Sequence, residues 1–152
     1  GVASYIKSKS DKPVAIAPAL WRGLPADLCG KWFERLFKRT PSIDNLYLQD
    51  IGGRCLVDFD VDLPNWYAEI KKACDATNVK FGVDIESFKS CWCPNVDYKA
   101  KDWSELKDQL MVAGLFTKYI TNFSWATFKK GTNNYDGYKA YLKENNLLPK
   151  GK

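Results

Sequence analysis

A short apolar segment followed by an amphipathic one recurs four times along the 152 residues, which predicts an α/β fold of four consecutive βα units. Two further observations support that class. Segments that follow strands are long and rich in Gly, Trp, Cys and acids, whereas those that follow helices (TPS, ATN, FT) are short. The chain is also 45% hydrophobic, enough for one core, so a single domain over residues 1–152 is expected. Strands that alternate with helices require parallel pairing through right-handed crossovers.

Taken in order, ASYIKSKSDK reads as the tail of a helix, and PVAIAPAL (13–20), which opens on proline and stops before WRGLP, reads as a buried strand. From Pro25, suited to a first helical turn, PADLCGKWFERLFKR sets Leu28, Trp32, Phe33, Leu36 and Phe37 on one stripe. The second unit is the strand IDNLYLQD (43–50), the loop IGGRCLVDFDVDLP and the helix NWYAEIKKACDATN, with Trp66, Tyr67, Ile70, Ala73 and Cys74 inward. The third is VKFGVDIESF (79–88), the loop KSCWCPNVDYKAKD and a helix over 103–115 carrying Leu106, Leu110, Met111 and Leu115. KYITNFSW (118–125), ATFKKGTNN and the helix YDGYKAYLKENN complete the fourth.

Composition narrows the chemistry. The sequence has no histidine, which removes Ser-His-Asp and Cys-His nucleophiles, histidine-ligated zinc and histidine bases together. Proton transfer must then use carboxylates, Tyr, Lys or Cys. The net charge of +5 is spread over mixed-sign, helically spaced segments, so it predicts solvated helix faces and no nucleic-acid partner. No apolar run approaches the ~20 residues that cross a bilayer, and the first residues lack a signal-peptide pattern, so no membrane association is expected. Five cysteines (Cys29, Cys55, Cys74, Cys91, Cys93) predict a secreted or lumenal setting with one or two disulfides, one of them joining Cys55 to Cys91 or Cys93. The odd cysteine suits an inter-chain disulfide or a free buried thiol equally. No strand is followed by a glycine-rich phosphate turn, since IGGRC lacks the third glycine, and two thiolates in CWC make a poor zinc site. No metal or organic cofactor is expected.

Function in α/β sheets gathers at the carboxyl ends of the strands. In VDIESF, alternation sets Asp84, Glu86 and Phe88 on one face and Val83 and Ile85 on the other. Two carboxylates on one face are costly unless paired or hydrated, and they suit glycosidic acid/base or nucleophile work. The structural alternative pairs Asp84 with a basic neighbour and has Glu86 cap an amide. LYLQD ends in Gln49, a donor and acceptor for hydroxyls, and Asp50, a further carboxylate or an Asx turn. Tyr47 of the same strand joins them as a substrate-binding candidate. Trp21, Trp92 and Trp125 fall at or just after strand ends, where a rigid ring can stack on a sugar, while Trp32, Trp66 and Trp103 fit helix-packing positions. Arg22 can meet a substrate oxygen or a neighbouring carboxylate.

These segments together resemble the carboxyl-terminal half of an uncharacterised glycosyl-hydrolase-like TIM-barrel family, a domain of unknown function with strand-end motifs of the types SP, D-x-x-x-x-Q-D-G-x-G and W-x-D/N-x-E-x-F. The matches are Ala17 and Pro18, Asp44, Gln49, Asp50 and Gly53, then Asp84, Glu86 and Phe88, spread over residues 13–125. Two positions depart: Ile51 stands where the motif has its first glycine, and Gly82 where it has tryptophan. The resemblance implies strands five to eight of a (β/α)8 barrel, with Glu86 in the position usual for the nucleophile of retaining glycosidases.

A full barrel needs about 250 residues, so four units imply half of one, with an exposed inner face and two open edges. A second polypeptide that supplies strands one to four, or a second copy of this chain, is the expected partner. The reading is a glycoside hydrolase-like protein with Glu86, Asp50 and Asp84 as catalytic carboxylates and Gln49, Trp21, Arg22, Tyr47, Trp92 and Trp125 binding a saccharide. Its rival is a non-catalytic carbohydrate-binding or structural assembly protein.

Overall fold

The computed structural model describes residues 1–19, 24–50, 62–89, 99–123 and 128–147. The chain runs α1 (Val2–Lys9), β1 (Ala15–Ile16), α2 (Ala26–Arg39), β2 (Asn45–Gln49), α3 (Asp62–Asp75), β3 (Lys80–Glu86), β4 (Phe88–Lys89), β5 (Lys99–Ala100), α4 (Trp103–Gly114), β6 (Ile120–Phe123) and α5 (Asn133–Glu144). Strands β1, β2, β3 and β6 form one sheet in that order, every neighbouring pair parallel. The α/β class and the alternation of strand and helix follow the expectation.

Strand order that never reverses, combined with right-handed crossovers, sends every connecting helix to the same face of the sheet. The core bears this out. Leu46, Leu48, Phe81, Val83 and Ile85 are buried among Phe33, Phe37, Tyr67, Ile70 and Leu106 of the helices, and every strand residue in that cluster has the same parity. Each large side chain removed from water there contributes about 2 kcal/mol. The opposite parity carries Asn45, Tyr47, Gln49, Lys80, Gly82, Asp84, Glu86 and Thr121 along paired register positions.

Helices α2 and α3 make the closest contact. A Cβ added to Gly30 would sit 2.8 Å from the carbonyl oxygen of Glu69, so the glycine is what lets the two backbones meet. Trp66 of α3 is buried and donates its indole N–H to the carbonyl of Leu24 at 3.2 Å. Asn78, at φ 57°, ends the turn after α3, with the amide of Val79 bonded to Cys74 O at 3.0 Å.

Several expected boundaries and faces are corrected. β1 keeps two residues of the eight in 13–20, because Pro13 and Pro18 have no N–H for a ladder; the chain still follows β2, with Gln49 N–H donating to Pro18 O at 3.0 Å and a bridge from Ala19 to Gln49. On α2 the buried stripe is Cys29, Gly30, Phe33 and Phe37, while Leu28 and Trp32 are 46% and 53% exposed, since contact with α3 centres on Gly30. On α4, Met111 and Leu115 lie about 140° and 180° around the helix from buried Leu106, and both are exposed. Phe88 does not continue the face of Asp84 and Glu86. The strand stops at Ser87, and Phe88 begins the short β4, antiparallel to β5 and buried.

Cys29 and Cys74 are free, buried thiols. Of five cysteines, three remain, which allows one intrachain disulfide and rules out two. The expected partners Cys55, Cys91 and Cys93 lie outside the described residues. Among the described residues no helix is long and apolar enough to cross a membrane.

Candidate functional site

The carboxyl ends of β2 and β3 meet in a buried polar cluster. Asp50 follows Leu46 and Leu48 in parity, so its carboxylate enters the helix side of the sheet and is fully buried. There Oδ2 accepts from the side-chain amide of Gln109 on α4 and from the Tyr67 hydroxyl of α3 at 3.4 Å. Oδ1 accepts the backbone N–H of Glu86 at 3.3 Å, and the backbone N–H of Asp50 donates to Asp84 O at 3.4 Å. Lys101, 1% exposed, donates through Nζ to Oε1 of Gln109 at 2.6 Å. A buried ammonium and a buried carboxylate are thus bridged by one neutral amide, which gives each charge a hydrogen bond it needs in place of water.

Ser87, next in the chain, is held through its carbonyl. It accepts the N–H of Lys101 at 3.0 Å and the Nδ2 amide of Asn134 on α5 at 3.1 Å. Asn134 is itself buried, its Oδ1 receiving the hydroxyl of Thr132 at 2.7 Å. Glu86, which ends β3, and Ser87 after it are therefore tied to the residue that follows β2, to the segment before α4 and to α5.

Glu86 is 3% exposed at the end of β3. Asp84, two residues earlier on the same parity, is partly exposed, and its Oδ1 accepts the Thr121 hydroxyl of β6 at 2.9 Å. Gln49 is the register partner of Asp84 on β2 and is also half-buried. Tyr47, register partner of Gly82, lays its ring where a side chain at position 82 would project. Asp84, Gln49, Tyr47 and Glu86 share the second sheet face, and Asp50 does not. Trp21, Arg22, Trp92 and Trp125 lie outside the described residues. Of the tryptophans read as helix packing, Trp66 is buried and Trp103 packs on the core and on Tyr138 and Tyr141, but Trp32 is exposed.

No protein-family model and no curated protein sequence matches this chain. A solved structure does match it: a putative alpha-L-fucosidase from Bacteroides thetaiotaomicron VPI-5482 superposes over 96% of this chain with a TM-score of 0.73 at 16% sequence identity. The likeness is one of fold. The matched part is 47% of that protein, so this chain spans about half its length.

Burial, and after it the Asp50 carboxylate, pushes the Tyr67 phenol far above its ordinary range, so the hydroxyl stays protonated and can serve Asp50 as a donor. Among the described residues no group of three or more His, Cys, Asp or Glu is placed to hold a metal. A cleft of about 480 Å³ lies at the other end of the strands, lined by Lys71, Lys80, Lys118, Phe81, Phe116 and Tyr119. A smaller one of about 150 Å³ borders Asn45, Tyr47 and Gly82. Neither includes a candidate carboxylate.

Gln109, Lys101, Tyr67, Ser87 and Asn134 were not legible as site residues. Gln109 did leave a trace, because it is a polar residue at the inward position between Leu106 and Ala113. Alternation along LYLQD likewise separates Asp50 from Gln49.

Proposed function

We propose that this chain is the half of a glycoside hydrolase-like (β/α)8 barrel that carries strands five to eight, and that it acts on a saccharide through Glu86. The observation that carries the reading is the register that brings Glu86, Asp84 and Gln49 onto one parity at the carboxyl ends of β2 and β3, opposite to the parity of the core residues Leu46, Leu48, Val83 and Ile85. Support for the class comes from the likeness in fold to half of a protein described as a fucosidase. A sheet face that carries polar groups and two open edges calls for covering. A second polypeptide with strands one to four, or a second copy of this chain, supplies that cover.

In this reading Glu86 is nucleophile or general acid/base, and Asp84, about 6.6 Å back along the strand on the same face, is its carboxylate partner. Gln49, Tyr47 and Arg22 orient hydroxyls, and Trp21, Trp92 and Trp125 stack on the ring. Asp50, enclosed by Gln109 and Tyr67, serves the site from behind. The compartment is secreted or lumenal, and neither nucleic acid nor membrane is a partner.

Native mass spectrometry of protein from its natural source, with and without reductant, identifies the partner; a panel of para-nitrophenyl glycosides, α-L-fucoside included, then tests the resulting assembly. Glu86→Gln is expected to lower kcat by about 10²- to 10⁴-fold while saccharide affinity persists. A second reading, a non-catalytic saccharide-binding or assembly protein, is favoured by the full burial of Asp50, which takes one of three candidate acids out of reach. Saccharide binding without hydrolysis in either protein would decide for it.

A further inference from the structure

Three groups that prefer water sit behind the strand ends with essentially no exposure: Asp50, Gln109 and Lys101. Burying them costs desolvation that their mutual bonds only offset, and apolar side chains of the same size would serve stability as well or better. What the network does accomplish is local. It ends on the backbone N–H of Glu86 through Asp50 Oδ1, while the N–H of Lys101 and the amide of Asn134 hold the carbonyl of the next residue, Ser87. The backbone on both sides of the Glu86 carbonyl is therefore held by hydrogen bonds from Asp50 after β2, from Lys101 before α4 and from Asn134 of α5. These bonds add to the register pairing of Glu86 with Phe123 of β6.

Resting on the reading of Glu86 given above, we infer that Gln109 and Lys101 are positioning residues for the Glu86 carboxylate, acting through Asp50. The amide of Gln109 has the one arrangement both neighbours accept: its oxygen receives Lys101 and its N–H reaches Asp50. Removing it takes the amide donor from Asp50 Oδ2, leaving the longer Tyr67 contact there, and so loosens the carboxylate whose Oδ1 receives the Glu86 amide. Displacement of a reacting group by about 1 Å costs about 10²-fold in rate, so the effect belongs in kcat and not in KM.

The experiment compares the wild-type assembly with Gln109→Met, which keeps the volume, and with Gln109→Glu, which keeps the shape and the acceptor for Lys101 but offers Asp50 no donor while ionised. Amide hydrogen exchange is read at Glu86 and, as an internal control, at Val83, whose N–H is bonded to Tyr119 O at 2.9 Å in the same strand. Glu86 is expected to lose about tenfold or more in protection while Val83 keeps its own, and kcat to fall about 10- to 100-fold with KM within about twofold. A merely structural role would move both amides together. Unchanged Glu86 exchange, parallel loss at Val83, or unchanged kcat in the folded variant of either kind overturns the positioning role alone. Absence of hydrolysis by the wild-type assembly overturns the enzymatic reading and this role with it, and the exchange data, which need no substrate, keep the two failures apart.

Discussion

The ring of Tyr47 lies across Gly82: a Cβ built on Gly82 would stand 2.7 Å from Cδ1 of Tyr47 and 2.9 Å from the carbonyl oxygen of Tyr119. The two residues are register partners on β2 and β3, so the tyrosine fills the space that a side chain on β3 would take. This is the position where the resembled barrel motif has tryptophan.

Gly82→Ala follows directly. The gain from a stiffer unfolded chain is about 0.4–1 kcal/mol, while forcing a methyl into occupied space costs about 1–3 kcal/mol, so the variant should be destabilised. Urea denaturation measures it. Adding Tyr47→Ala should recover part of the loss, leaving only the crowding against the Tyr119 carbonyl.

Alkaline stability is the second prediction. Burial, with Asp75 adding to it against Lys71, pushes the Cys74 thiol up to about 12 from 9.0, and burial pushes the Tyr67 phenol up as well. Between pH 9 and 12 the unfolded chain has released the Cys74 proton and the folded chain has not, so unfolding gains on folding as pH rises. Stability should be flat with respect to this group below about pH 9 and fall by up to about 1.4 kcal/mol per pH unit above it. Cys74→Ala should flatten that slope, as thermal melts across the range would reveal.

The same thiols should be chemically quiet. Burial raises both Cys29 and Cys74, which leaves little thiolate to attack a reagent near neutral pH. Iodoacetamide followed by mass spectrometry is expected to leave both unmodified in the native protein and to modify both in denaturant. Rapid labelling of either under native conditions would contradict their placement.

At the other end of the strands, Asp44 anchors two elements. Its Oδ2 accepts the buried N–H of Val14 at 2.6 Å and meets the ammonium of Lys7 on α1 at 2.8 Å, and Lys7, then Val14, holds the carboxyl below its ordinary range. Because the folded value is depressed, this contribution is present above about pH 4 and is lost as pH falls through the folded value. Asp44→Ala should lower Tm more than Lys7→Ala does, since only the first leaves the Val14 amide without its acceptor. Equal losses would assign the whole effect to the ion pair.

Periodicity made the units legible. The 3.6-residue stripe of Trp66, Tyr67, Ile70, Ala73 and Cys74 and the apolar parity of β3 each follow from local sequence, and strand–helix alternation leaves parallel pairing as the workable outcome. Glu86 and Asp84 on one strand face were likewise readable, because a period of two depends on nothing beyond the strand itself.

What only the tertiary structure decided is what meets each carboxylate on its side of the sheet. Asp50 and Gln49 are adjacent in sequence yet point to opposite faces. The partners of Asp50 come from 17, 36 and 59 residues further along the chain, at Tyr67, Glu86 and Gln109. Leu28 and Trp32, apolar and well spaced, were left in water because the approach of α2 to α3 is set by a glycine and a backbone carbonyl, a contact between two helices that neither helix encodes alone. Local pattern reports the period of an element. The rotation of that element against its neighbours is a property of the packed whole, and the chemistry at the strand ends depends on that rotation.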